Sequence, residues 1–353
     1  MRIGIFLPNW IGDVVMATPA LRALRRHYTE AHLVGILRPY VAPVLDGTAW
    51  LDSQCSYDPR GREGQWSLVR SLRRQRLDAV LLLTNSLRTA ALAWLGGARR
   101  RVGYARGGRG WLLTHPVRPP RQGRQLAPVS PVDYYLRLAS EMGCPAGSRQ
   151  TELATCPEDE QAAERVWRAR DWSDRDQVVA LNTGGAYGAA KDWPRESFAA
   201  LARQIVQQTS ARVLILCGPA EEQTARWIEQ QAATPRVRSL AGEPLGIGLT
   251  KACVRRSCLL VTTDSGPRHF AAGLGVPAVA LFGPTDPRWS ENYNPCEIRL
   301  QQPISCAPCA RRSCPLGHHR CMRELAVERV FQALQPQLQP SAVRFDQPTA
   351  PTR

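Results

Sequence analysis

Short apolar runs alternate along most of the chain with segments whose apolar residues recur at helical spacing. "RIGIFLP", "AHLVGILR" and "DAVLLLT" predict buried strands, with helices at "WSLVRSLRRQR" and "SLRTAALAWLG" between them. Strand, helix, strand in repetition implies an α/β fold with a parallel sheet. The segment 98–128 turns rich in Gly, Arg and Pro and is expected to form loops over the sheet's edge or mouth. "VDYYLRLASEMG" closes this half as a helix.

Between 145 and 176 the pattern changes to a Pro/Gly-containing connector and a charged helix, "EDEQAAERVWRARDW". A second alternating series follows, including "VVALNTGG", "VLILCGP", "CLLVTTDSG" and "PAVALFGP", whose strands repeatedly end in glycine or a small polar residue. Backbone at such ends can approach a phosphate. The expected domains are 1–165 and 176–330, facing each other across a cleft. Residues 335–353, rich in Pro, Gln and Thr, are expected to be a disordered tail.

The first strand runs into "NWIGDVVMATPALRAL", which sets one carboxylate, Asp13, at a glycine-flanked strand-to-helix corner. Strand ends of open α/β sheets face the ligand crevice, so Asp13 is a candidate catalytic acid or base. The plainer alternative is that Asp13 only caps the helix. In "NTGGAYGAAKDWP" the glycines Gly184, Gly185 and Gly188 precede Lys191. Backbone N–H groups there can cradle a diphosphate while the lysine supplies positive charge, although the spacing is neither a Walker A loop nor GxGxxG. "TTDSGPRHFAAGLGVPAVALFGPTDP" ends a strand at Asp264 and opens a helix at Ser265 and Gly266, whose N-terminal N–H groups favour an anion; His269 lies one turn inside. "LCGPAEEQ" offers Glu221 and Glu222 at a strand end, where a carboxylate could receive ribose hydroxyls or merely start a helix.

The 353 residues are 44% hydrophobic and 22% charged, without an apolar run long enough to span a bilayer or a visible secretory signal, so a cytoplasmic protein is expected. Forty-six Lys and Arg against thirty Asp and Glu give a formal charge of +16. Such a surface favours polyanions. Arginine clusters stand at 70–76, 98–110 and 118–124, each of which could equally be a solvated face. Aromatics are not interleaved with them as base stacking would require, so nucleic acid is not the expected partner. Eleven cysteines without a secretory context argue against a disulfide framework. Four of them, Cys306, Cys309, Cys314 and Cys321, fall in "CAPCARRSCPLGHHRC" and invite a structural zinc reading, but the spacing beyond the first C-x-x-C is not a standard finger pattern. Reduced thiols beside the cleft are the favoured expectation.

Four ordered motifs, "NWIGDVVMATPALRAL", "GGAYGAAKDWP", "LCGPAEEQ" and "TTDSGPRHFAAGLGVPAVALFGPTDP", resemble the bacterial ADP-heptose:lipopolysaccharide heptosyltransferases, and within them the heptosyltransferase II branch. The resemblance spans roughly residues 1–330. It implies a GT-B architecture of two Rossmann-like domains, acceptor held by the first and nucleotide sugar by the second. It also implies inverting transfer of L-glycero-D-manno-heptose from ADP-heptose to the heptosyl-Kdo inner core, with no cofactor or metal required. Carried over by position, Asp13 is the general base and Lys191 contacts the donor phosphates. Thr183, Gly184, Gly185, Glu222, Asp264, Ser265, Gly266 and His269 complete the donor pocket, although "NTGG" departs from the Pro-Gly sequence common in that loop. An anionic, lipid-borne acceptor gives the arginine-rich segments a role, with Arg121 and Arg124 as candidate acceptor contacts and the cytoplasmic face of the inner membrane as a peripheral partner. Another nucleotide sugar, a GT-B epimerase or a non-catalytic nucleotide- or polyanion-binding protein are the alternatives.

Overall fold

The structure, a computed structural model, describes residues 1–58, 62–185 and 187–338. The first half contains β1 (Arg2–Phe6), α1 (Ile11–Met16), α2 (Thr18–His27), β2 (His32–Leu37), β3 (Ser53–Ser56), α3 (Arg62–Gln75), β4 (Ala79–Leu82), α4 (Leu87–Leu95), β5 (Arg100–Tyr104) and β6 (His115–Val117). A two-strand hairpin, β7 (Arg121–Gln122) and β8 (Gln125–Leu126), precedes α5 (Pro131–Glu141) and α6 (Pro157–Arg168). The second half runs β9 (Val178–Asn182), α7 (Arg195–Gln208), β10 (Arg212–Leu216), α8 (Glu222–Ala232), β11 (Val237–Ser239), α9 (Ile247–Arg256), β12 (Leu259–Thr263), α10 (Gly266–Leu274), β13 (Ala278–Phe282), β14 (Glu297–Gln301), α11 (Arg320–Arg323) and α12 (Val327–Leu338).

Each half builds a six-stranded parallel sheet, ordered β3-β2-β1-β4-β5-β6 and β11-β10-β9-β12-β13-β14. This is the doubly wound order, in which direction reverses between the first and fourth strands and opens a crevice at their carboxyl ends. The two crevices supply the site. Central strands are apolar on both faces because helices cover both: Ile3, Ile5 and Leu81 point to the layer holding α1, α2 and α5, while Phe6, Val80 and Leu82 point to α3 and α4.

Segment 98–128 differs from the expected loops. Val102 and Tyr104 are fully buried and carry β5 onto β4, and β6 adds the edge, so the sheet continues where Arg and Gly had suggested irregular backbone. Edge strands bury only alternate residues, which leaves their composition polar. The helix α12 runs through residue 335 to Leu338, and the rest of the expected tail lies outside the described residues.

The halves meet through specific contacts. Helix α1 packs on α10, and the buried Lys251 of α9 donates to the carbonyls of Asp46 and Ala154 at 3.0 Å each. Ser130 donates to the Glu291 carbonyl at 2.7 Å, and the Leu153 amide to Gly273 at 2.7 Å.

Candidate active site

A cleft of about 1190 Å³ lies between the domains, lined from the N-terminal side by Trp10, Gly12, Asp13 and Tyr40 and from the C-terminal side by Lys191, Glu221, Asp264, Ser265 and His269, among others. Asp13 follows β1 and Asp264 follows β12, so the two acids come from the direction-reversal points of the facing sheets.

Asp13 is not a helix cap. The cap position of α1 is Trp10, in extended backbone and without a side-chain cap bond, and Asp13 sits in the first turn facing the cleft. Burial, and secondarily the negative charge of Asp264, push its carboxyl up to about 6, with Lys191 pulling the other way. That value suits a group that must accept a proton near neutral pH.

Asp264 has the opposite character. Burial opposes its ionisation, but Lys191 and Arg268 outweigh it and hold the carboxyl well below the usual range. Lys191 Nζ lies 2.6 Å from Oδ2 and 2.8 Å from the Asp264 carbonyl, Thr285 donates at 2.9 Å, and Arg268 reaches Oδ1 at 3.2 Å. The fully buried Arg268 is clamped in turn by both Glu297 oxygens at 2.7 and 2.8 Å. Asp264 therefore positions Lys191.

Asn182 at the end of β9 fastens the glycine loop to α10, its amide reaching the Gly184 carbonyl at 2.9 Å, Ser265 Oγ at 2.9 Å and Thr262 Oγ1 at 3.1 Å. A Cβ on Gly184 would fall 2.5 Å from Glu221, and one on Gly185 2.9 Å from Ser265 Cβ. Gly185 lets backbone pass close to the α10 N-terminus, and Gly184 lets it pass against Glu221. His269 is buried, and burial, reinforced by Arg268, lowers it to about 3, so the imidazole is neutral; its Nδ1 has no partner among the described residues.

Several assignments shift. Glu221 lines the cleft and accepts from the Gly218 amide at 3.0 Å, whereas Glu222 is absent from the lining and pairs with Arg226 at 3.4 Å one turn along α8. Thr183 is buried beneath the loop and is also absent from the lining, its hydroxyl without a partner among the described residues. Arg121 and Arg124 are exposed on the β7–β8 hairpin, outside the cleft lining.

The cysteine run delivers a residue that sequence reasoning passed over. Its loop places Arg312 at the cleft, with the guanidinium 5.5 Å from the Tyr187 ring and 5.9 Å from the Trp10 ring. Tyr187 also lies under Lys191 Nζ at 4.3 Å. Cys306, Cys309, Cys314, Cys321 and His318 surround an apolar cavity of only about 20 Å³, with Cys306 Sγ 4.0 Å from His318 Nε2. No group of three or more His, Cys, Asp or Glu among the described residues is arranged to hold a metal ion, so the zinc reading gains no support, and the cysteines are free thiols.

Residues 65–320 match the sequence model of Glycosyltransferase family 9 (heptosyltransferase), well over half of the chain. The chain belongs to glycosyltransferase family 9. As a family 9 protein it is a glycosyltransferase, and its paired Rossmann-like domains are the GT-B arrangement. It is 25% identical to lipopolysaccharide heptosyltransferase 2 of Escherichia coli strain K12, covering 95% of this chain and 97% of that one. Among solved structures, a family 9 glycosyl transferase from Veillonella parvula superposes with a TM-score of 0.82 at 24% identity over 95% of this chain and 96% of that one. The E. coli ADP-heptose lipopolysaccharide heptosyltransferase II gives 0.79 at 22% identity, over 96% and 98%.

Proposed function

We propose that this family 9 enzyme moves L-glycero-D-manno-heptose from ADP-heptose to the heptosyl-Kdo inner core of lipopolysaccharide, with inversion at the anomeric carbon. The observation carrying the reading is that Asp13, raised to about 6, shares one cleft with Lys191 and the α10 N-terminus contributed by the other domain. Family membership and relatives named heptosyltransferase 2 support the choice of sugar and acceptor.

In the reaction the acceptor oxygen bonds to the anomeric carbon as the bond from that carbon to the β-phosphate oxygen breaks, and the electron pair leaves with ADP. Asp13 takes the acceptor hydroxyl's proton. Among the described residues no hydrogen bond occupies its carboxylate, which leaves it available to a substrate hydroxyl. Charge developing on the diphosphate meets the amides at Ser265 and Gly266, Lys191 held by Asp264, and Arg312. Preorganised donors of this kind stabilise a leaving anion without a metal. Glu221 is placed to receive ribose hydroxyls. Arg121 and Arg124 contact the acceptor's anionic groups where these extend beyond the cleft. The acceptor's lipid places the reaction at the cytoplasmic face of the inner membrane, consistent with the absence, among the described residues, of a helix long and apolar enough to cross one.

The test incubates the protein with ADP-heptose and heptosylated, Kdo-bearing lipid A. A product heavier by one heptose supports the reading. Transfer from a different nucleotide sugar, or release of an altered sugar without acceptor, rejects it.

A further inference from the structure

Helices α3 and α4 and the short turn Gly110–Leu112 form one layer on the N-terminal sheet. Leu68, Val69 and Leu72 of α3, Leu92 and Ala93 of α4, and Leu112 share a single buried cluster with Phe6, Val80 and Leu82 of the sheet. Their opposite sides therefore face solvent together. Each of the three elements carries one exposed tryptophan, Trp66 on α3, Trp94 on α4 and Trp111 in the turn, exposed by 52%, 52% and 75%. Nothing in the cleft uses them. Three tryptophans left half or more in water on one layer are an unusual apolar exposure for a surface that touches only water. The indole's apolar body and polar N–H suit a membrane–water boundary.

Charge makes the same surface selective. From Gly64 to Val132 the chain carries thirteen arginines and a single acidic residue, Asp78, whose carboxylate is already bound to the Arg2 amide at 2.8 Å. Arg70 and Arg74 are exposed on α3, four and eight residues beyond Trp66 and so on its face of the helix, and Arg88 is exposed in the first turn of α4. The layer is braced: Arg73 Nε donates to the Leu95 carbonyl at 2.8 Å, and the buried Arg109, immediately before the Trp111 turn, donates to the Tyr104 and Thr84 carbonyls at 2.9 and 2.5 Å. Trp111 thus projects from a pinned turn. A second copy seated on this face would oppose mainly arginine with arginine, since Glu63 is the one acid in α3, α4 and the turn.

We propose that this α3–α4–turn surface docks on a bilayer of anionic phospholipid, tryptophans entering the headgroup region and arginines meeting lipid phosphates. The proposal deepens the functional reading above, on which it rests for why the enzyme meets a membrane.

The test is co-sedimentation of the full chain with vesicles of phosphatidylglycerol and phosphatidylcholine, or of phosphatidylcholine alone, without donor or acceptor. Wild type should sediment with the anionic vesicles at about 0.1 M salt and be released at about 1 M, where the screening length falls from about 10 to about 3 Å. Trp66→Ser/Trp94→Ser/Trp111→Ser should weaken the partition at least about tenfold, and Arg70→Gln/Arg74→Gln/Arg88→Gln by about ten- to a hundredfold. Both variants should keep wild-type turnover on a delipidated acceptor. Wild type that ignores anionic vesicles, or a tryptophan variant that sediments like wild type, overturns the proposal. So does a wild-type dimer that the tryptophan variant makes monomeric, or oligonucleotide binding lost in these variants without vesicle binding. Vesicle binding by a protein that transfers no heptose would leave the surface standing and reject the reaction instead.

Discussion

Gly12 of the N-terminal domain lies so close to His269 of the C-terminal domain that a Cβ on the glycine would fall 2.5 Å from the imidazole Cδ2 and 3.0 Å from Nε2. His269 is 4% exposed and packed within α10, so it has little room to yield. Gly12→Ala should lower the melting temperature, at a cost of about 1–3 kcal/mol for overpacking, and reduce turnover by displacing Asp13 next to it. His269→Ala combined with Gly12→Ala should recover stability relative to Gly12→Ala alone. Additive losses in thermal unfolding would contradict direct contact between the two.

The pH dependence follows from Asp13. A base raised to about 6 is protonated below that pH and inactive, so kcat/KM should climb through about pH 6 and level off above it. Because Asp264 contributes to the rise and Lys191 opposes it, Asp264→Asn should move this acidic limb to lower pH. A limb that stays in place would show that the two carboxylates do not sense each other.

Asp264→Asn also bears on stability. It leaves Lys191 and the buried Arg268 short of a counter-charge, a change that typically costs about 3–5 kcal/mol. The folded-state pKa of Asp264 lies below its unfolded value, so its contribution is present above the unfolded pKa of about 3.9 and is lost as pH falls through the folded one. In urea denaturation the gap between wild type and Asp264→Asn should be full at neutral pH and narrow below about pH 4.

Glu221 and Glu222 are neighbours with different surroundings. Glu221→Gln is expected to raise the KM for donor several-fold with kcat less affected, whereas Glu222→Gln removes an exposed pair to Arg226 and should change stability by under about 1 kcal/mol and KM hardly at all. Steady-state kinetics with varied donor distinguishes them, and equal effects would reject the placement of Glu221.

Arg312→Gln should weaken ADP binding in calorimetry, because the cysteine loop brings its guanidinium to the cleft beside Trp10 and Tyr187. Unchanged affinity would confine Arg312 to a packing role.

The alternation of apolar runs made the two sheets legible, because strands covered on both faces must be apolar throughout. Two of the edge strands were not: β3, "SQCS", and β14, "EIRLQ", are half in water and carry no such signature. Asp13 and His269 reach the cleft because each stands in the first turns of the helix that follows a central strand, and Lys191 because it closes the glycine loop after β9. Of Glu221 and Glu222, both candidates for a ribose contact, only Glu221 lines the cleft, because one residue on a helix start turns a side chain by about 100°. Arg312 reaches the cleft on a loop and Tyr40 on the short 3-10 turn Pro39–Val44 after β2, and the course of both depends on tertiary packing that sequence spacing does not encode.

The most direct measurement pairs single-turnover transfer from ADP-heptose with calorimetric ADP binding, for wild type and Asp13→Asn across pH. The account expects Asp13→Asn to bind ADP as wild type does, to transfer about 10²- to 10⁴-fold more slowly, and to lose the rise near pH 6. Transfer at the wild-type rate, or a slowed variant that still shows that rise, would contradict Asp13 as the base.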